Sequence, residues 1–407
     1  MPYDLEQKDS TIIPRKNSID KRKSTIPYKL FYVAAAGKTV KSFLQAHFIR
    51  LAESGYNVTL ACSDSPQTSE VRSNTNVCYI PVTIESQIAP ASDILSVLKL
   101  TAVLLKEKPE VVHTQMSEAG LVSMLSAYIV HTPLRIYHNH GMSAFSSRGA
   151  KRILLELIEK MTCKLVTQVL FCGEPTLNEA VARGFCSKDK AIVLGNGTIP
   201  GIDTNRYKPV NPVALNSSPD RRGSTNNTFT VGFIGRIVAH KGIDNIIKAW
   251  PLVCRHTDVS MELKIAGAND GDALFSRLTD LCKSHKNVSY LGRLDNIEEI
   301  YRSLDVLILP SWHEGFPYSV MEAQNTGVPA IVTEVPGNID AVIPDQTRLH
   351  IPVEDPQALA NAILKISEND ELQQTMLSLA ARNRVKQYYS EDQVMNHLIN
   401  FHKRLLH

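Results

Sequence analysis

Cysteine pairs are missing from this chain. Its seven cysteines, Cys62, Cys78, Cys163, Cys172, Cys186, Cys254 and Cys282, are an odd number and contain no CxxC. That argues against a disulfide framework and a zinc site, and for a reducing compartment. Long apolar runs are missing too. No stretch reaches the ~18 continuous apolar residues of a membrane span, and the polar N-terminus has no apolar signal segment. A surplus of one charge is also absent: the formal charge is +3, too small an electrostatic footprint to argue for nucleic acid, and no RNA or DNA motif is present. What is there, 407 residues at 43% hydrophobic and 21% charged, suits a cytoplasmic globular protein with a sizeable core and two or three domains.

Residues 1–28 are polar, carry Arg15, Lys16, Lys21, Arg22 and Lys23, show no periodicity, and are expected to form a flexible tail. From Lys29 a regular pattern begins. Short apolar runs (30–35, 58–61, 77–82, 111–113, 135–137, 168–171) alternate with helical periodicity (40–53, 92–107, 118–130, 150–164, 174–183). This predicts a mostly parallel sheet with helices on both faces, filling a first domain over 29–207. The segment 208–229 is rich in Pro, Ser, Asn and charge and reads as a linker. The alternation restarts with runs at 230–234, 262–266, 288–291, 306–309 and 330–332, a second doubly wound domain over 230–389. Ser390 and Gln393 form a capping box that opens a last helix over 390–407.

The second half carries the most informative stretch, PSWHEGFPYSVMEAQNTGVP (310–329). It reads as a strand end, a loop and a helix whose first residue is Pro317, where a missing N–H costs nothing. Free backbone N–H groups beside Gly315 make a seat for phosphate. Glu314 before the helix and Glu322 inside it then suit hydroxyl groups, as on a sugar and a ribose. Upstream, GRIVAHKG (235–242) sets Arg236 and Lys241 at a strand-to-helix turn. A bidentate guanidinium and an ammonium point charge together suit a diphosphate, although alone the two also suit a solvated loop.

These residues resemble a family. GRIVAHKG, YLGRLDN (290–296) and HEGFPYSVMEA…GVP (313–329) together look like the nucleotide-sugar domain of glycosyltransferase family 4, retaining enzymes of GT-B fold. The resemblance covers nearly all of 29–407. It implies two Rossmann-like domains facing across a donor cleft, with the last helix crossing back to the first. By position, Arg236 and Lys241 would hold the pyrophosphate, helped by backbone N–H groups near Gly315 and Phe316. Glu322 would accept from the ribose, Glu314 would meet the transferred sugar, and Arg293 would lie along the base with backbone near Leu291. Relatives often have Asn where this chain has Tyr318, so no side-chain contact is assigned there. No metal or cofactor is expected beyond the nucleotide-sugar substrate, most simply a UDP-sugar. The acceptor would be a glycan precursor, lipid-linked as in many bacterial polysaccharide pathways. A sugar-nucleotide epimerase and a non-catalytic sugar-nucleotide-binding subunit are the alternatives.

In the first half, AAAGKTV (34–40) places Gly37 where the family has its glycine loop near the sugar, and it lacks the first glycine of a P-loop. YHNHGM (137–142) offers His138 and His140, of which His140 best matches the family's cleft histidine; no third metal ligand follows at plausible spacing. His113 reads equally as structural or functional. Asp270 and Asp272 resemble a DxD metal motif but sit in a Gly/Asn loop that favours Asp for turn reasons. Finally, 148–164 is a basic amphipathic helix with Ile153, Leu154, Leu157, Ile158 and Met161 on one face. Such helices can lie on anionic bilayers, giving peripheral membrane contact, but the core-facing reading is preferred because every α/β layer needs one apolar face.

Overall fold

The computed structural model describes residues 28–406 apart from 76, 86, 87, 143, 146, 148, 199, 210–227, 271, 272, 345 and 370. The expected tail up to residue 27 and most of the expected linker, together with Arg148 and Asp272, lie outside the described residues. The chain divides into two compact units: Met1–Gly201 with Glu391–His407, and Ile202–Ser390.

The first unit is built on β1 (Lys29–Val33), β2 (Asn57–Cys62), β3 (Cys78–Pro81), β4 (Val111–Gln115), β5 (Leu134–Asn139), β6 (Gln168–Phe171) and β7 (Ala191–Val193). Among the described residues these pair in parallel in the order β3-β2-β1-β4-β5-β6-β7. Near-continuous apolar strands follow from covering both faces. Leu30 and Tyr32 point into one core with Leu60, Val111 and Ile136, while Phe31 and Val33 point into the other with Ala61, Val112 and Tyr137. The last helix, Glu391–Leu406, completes the first of these cores with Met395, Leu398, Phe401 and Leu405. Each such buried side chain contributes about 1.5–3 kcal/mol, which ties the chain's end to its first strand.

The second unit repeats the plan with β8 (Phe229–Ile234), β9 (Met261–Ala266), β10 (Val288–Gly292), β11 (Val306–Leu309), β12 (Ala330–Thr333) and β13 (Arg348–Ile351), again parallel, in the order β10-β9-β8-β11-β12-β13. Residues 202–207, expected in the first domain, cluster with this unit. The Asn325 amide donates to the Thr204 and Tyr207 carbonyls, and Ile202 N donates to Tyr389 O at 2.8 Å. In both sheets the strand order reverses once, between β1 and β4 and between β8 and β11. Open α/β sheets bind ligands outside the strand ends at such points.

Several details differ from the sequence reading, the unexpected helix Pro66–Asn74 among them. The strands β7 and β13 were not expected: the first has three residues, and the second, RLHI, has a cation and an imidazole in its four. Helix Tyr318–Asn325 starts one residue late, because Pro317 at φ −86°, ψ 83° is its non-helical cap. The largest correction concerns Gly149–Leu165, where Ile153, Leu154, Leu157 and Met161 are exposed and the buried residues are Glu159, Thr162 and Cys163. Glu159 reaches inward because Tyr137 Oη and Asn139 Nδ2 donate to it at 2.8 and 2.6 Å, and this polar cluster displaces the apolar stripe.

Candidate active site

At the reversal between β8 and β11, two loops are drawn together by backbone contacts. After β8 the chain passes Gly235 and Arg236 to a 3-10 turn, Ala239–Lys241, which ends at Gly242 with φ +77°. A Cβ on Gly242 would run into the Pro310 carbonyl at the end of β11, so only glycine lets the turn sit there. Trp312 N donates to His240 O at 2.8 Å and closes the junction from the other side. The result is the ion pair of the site: Lys241 Nζ lies 2.7 and 2.8 Å from the two oxygens of Glu314. The Glu314 side chain is 6% exposed and that of Lys241 21%, so the pair is largely withdrawn from water.

Glu314 is held from below by residues that the motifs did not single out. A Cβ on Gly337 would meet the Glu314 backbone. Asn338 Nδ2 donates to Thr333 O, to Thr333 Oγ1 and to Ser311 Oγ at 3.2, 3.1 and 3.4 Å, tying the loop to the end of β12. The Pro-Gly step after an apolar run, VPGN, was the available signal. Phe316 is buried against Tyr318 and Tyr389, so only its backbone can serve a ligand, and Gly315 is half-buried beside it.

Arg236 is exposed and its Nη1 lies 3.5 Å from Asp270 Oδ2. Glu322, on helix Tyr318–Asn325, accepts from Tyr301 Oη at 2.6 Å and from the Tyr207 hydroxyl. Burial pushes its carboxyl above the ordinary value, opposed by those two phenols and by nearby Arg206. Neither tyrosine was read from the sequence as a site residue. Arg293 is exposed after β10, the edge strand, and Leu291 is half-buried within it. The ends of β8, β9 and β10 are stitched together, with Gly235 N donating to Ala266 O and Gly267 N to Gly292 O at 3.0 and 2.8 Å.

In the first unit, His140 follows β5 and its Nε2 lies 2.8 Å from Gln115 Oε1 at the end of β4. Gln115 is buried, and its Nε2 has no partner among the described residues. The next residue, Met116, stands at φ +67°, an uncommon conformation for a side chain of its size. Gly37 has a plain packing reason: a Cβ there would collide with the Ser65 hydroxyl that caps helix Pro66–Asn74. His113 is fully buried, stacked 4.7 Å from Tyr32 and 5.5 Å from His138. Among the described residues no group of three or more His, Cys, Asp or Glu is arranged to hold a metal ion.

Burial holds the imidazoles of His113 and His138 well below their usual value, and brings His140 and His402 to about 3. All four are therefore neutral in the fold but protonate near pH ~6.5 when unfolded. Their stabilisation is complete above that value and is lost as pH falls, for His140 and His402 toward about 3. Calorimetry across this range is expected to show the first unit losing up to about 1.4 kcal/mol per pH unit for each histidine. His113→Leu with His402→Leu should flatten the dependence; an unchanged slope would show that the histidines are not its cause.

Two family models match: "Glycosyltransferase Family 4" over residues 45–202 and "Glycosyl transferases group 1" over 217–384. The chain belongs to glycosyltransferase family 4. The transferase is 26% identical over 387 residues to the capsular polysaccharide biosynthesis glycosyltransferase CapM of Staphylococcus aureus, covering 93% of this chain and 97% of that one. It is 24% identical to an Escherichia coli UDP-Gal:alpha-D-GlcNAc-diphosphoundecaprenol alpha-1,3-galactosyltransferase, covering 83% and 86% of the two chains. Among solved structures, Anabaena HepE in complex with UDP-glucose superposes with TM-score 0.70 at 17% identity, over 93% of this chain and 100% of that one. A glycosyltransferase from Rickettsia africae gives 0.72 at 16% identity, over 93% and 99%. The transferase has the GT-B fold. Among the described residues no helix is long and apolar enough to cross a membrane.

Proposed function

We propose that this transferase moves a hexose or N-acetylhexosamine from a UDP-sugar to a lipid-linked glycan precursor in the synthesis of a capsule, exopolysaccharide or O-antigen, with retention of anomeric configuration. The observation that carries the reading is the withdrawn Lys241–Glu314 pair at the β8/β11 reversal, with Arg236 on the adjoining loop. The named activities of the Staphylococcus and Escherichia relatives and the UDP-glucose bound by HepE support the acceptor and donor classes.

The reaction breaks the bond between the anomeric carbon and the donor phosphate oxygen. Positive charge grows on the sugar, and the electron pair leaves with the nucleoside diphosphate. Arg236, Lys241 and the start of helix Tyr318–Asn325 oppose that negative charge. The acceptor hydroxyl attacks from the same face, and its proton passes to the departing phosphate oxygen. Glu314 orients Lys241 and meets the sugar, Glu322 accepts from the ribose, and Arg293 lies along the base with Leu291. No divalent ion is needed in this scheme, because the protein's own cations and helix dipole meet the developing charge.

Glu322→Ala is expected to raise the donor KM by about tenfold to a hundredfold with a much smaller change in kcat, since ribose contacts hold ground and transition states alike. An unchanged KM would remove Glu322 from the donor site. The reading itself is tested by supplying UDP- and GDP-sugars with a lipid-linked acceptor, in the presence and absence of a chelator. Transfer from a UDP-sugar that survives chelation is expected. Transfer that strictly requires added metal would overturn the cation cradle. Conversion of donor alone into another sugar nucleotide would establish an epimerase, and binding without turnover a supporting subunit.

A further inference from the structure

Helices Pro90–Glu107 and Gly149–Leu165 both pack against helix Met116–Ile129 on one face of the first unit's sheet. Each turns an apolar row outward. On the first, Ile94, Leu95, Leu98 and Leu105 are exposed, Leu98 by 62%; on the second, Ile153, Leu154, Leu157 and Met161 are exposed, Ile153 by 70%. A single exposed leucine is ordinary, but complete outward rows on two helices of one layer are not. The inward positions, Ser96, Leu100 and Leu104 on one helix and Glu159, Thr162 and Cys163 on the other, already satisfy the core.

The charges on these helices decide what covers them. Lys99, Lys106, Lys151 and Lys164 are exposed. The acids are engaged elsewhere: Glu156 pairs with Arg152 at 2.9 Å, Glu107 faces Lys29 at 3.8 Å, Asp93 accepts from Ala89 N at 3.1 Å, and Glu159 is buried. We propose that this face is the protein's contact with an anionic phospholipid bilayer, its apolar rows entering the headgroup boundary and its lysines meeting lipid phosphates. Lysine suits this role because its stem lies along apolar surface while its ammonium reaches outward. A second copy of the chain would instead set lysine against lysine. The proposal rests on the lipid-linked acceptor for its purpose, while the surface itself is argued from exposure and charge.

Co-sedimentation of the full chain with phosphatidylglycerol/phosphatidylethanolamine vesicles tests it without donor or acceptor. Binding is expected, at least ~tenfold weaker to phosphatidylcholine vesicles and weakened by about 0.5 M salt. Ile153→Glu with Leu157→Glu, and separately Leu95→Glu with Leu98→Glu, should each reduce binding by at least ~tenfold. The thermal shift on adding a UDP-sugar should be the same in every variant, showing that the fold is intact. The proposal is overturned if the native chain ignores anionic vesicles, binds phosphatidylcholine equally well, or keeps its binding in both variants. It is also overturned if the native chain is a dimer that these substitutions dissolve. Transfer to a soluble acceptor without vesicle binding would sink this surface alone; vesicle binding without any transfer would sink the catalytic reading alone.

Discussion

Lys241→Ala is expected to lower kcat for sugar transfer by roughly a hundredfold to a thousandfold, the usual loss when one donor to a developing anion is removed. It should also lower stability, because Glu314 then keeps a buried charge without its cation. Breaking a buried pair costs about 3–5 kcal/mol; partial exposure of Lys241 lets water screen the loss, so about 2–3 kcal/mol is expected. The two effects separate in a double variant. Glu314→Gln in the Lys241→Ala background removes the orphaned charge and should restore most of the melting temperature without restoring the rate. If rate and stability recover together, Lys241 is a structural partner of Glu314 and the diphosphate cradle loses its main cation.

Gly242→Ala should be nearly as damaging, although the glycine has no side chain to touch a ligand. At φ +77° an alanine pays about 1–2 kcal/mol for the left-handed backbone. Its Cβ must also displace the Pro310 carbonyl, moving the Lys241 turn off the end of β11. A displacement of about 1 Å at a catalytic group can cost a hundredfold in rate. Gly55→Ala is the internal control: its φ is +85°, with open space where the Cβ would go. It should show the backbone cost alone, with unchanged kcat. Melting curves and rates measured together check this, and equal behaviour of the two variants would dismiss the contact with Pro310.

Much of the fold was legible because parallel strands covered on both faces must be apolar throughout. Runs such as VLIL and AIVT stand out between amphipathic segments. The strand β13 escaped notice because RLHI has no such run, and Pro66–Asn74 because its nine residues are mostly polar. Local spacing also set Glu314 and Glu322 on either side of a helix start. It could not show that Glu322 is met by Tyr301 and Tyr207, which stand 21 residues and more away, nor that Gly337 supports Glu314. The outward turn of Ile153 and Leu157 was misjudged for a similar reason. An amphipathic pattern marks two faces, and only the inward pull of Tyr137 and Asn139 on Glu159 decides which one meets the sheet.

By itself the sequence determined the two doubly wound units, the strand-to-helix turns that carry Arg236, Lys241 and Glu314, the helix that carries Glu322, and through those motifs the family. These are local properties, written in periodicity and short spacings. Only the tertiary structure decided that Lys241 and Glu314, 73 residues apart, form one withdrawn ion pair. It also fixed how the final helix, already expected to return to the first domain, fills the first core with Met395, Leu398, Phe401 and Leu405, and it left two helical rows facing outward. The physical reason is common to all three. Burial and pairing depend on which strand ends become neighbours when the sheet order reverses, and no segment carries that information alone.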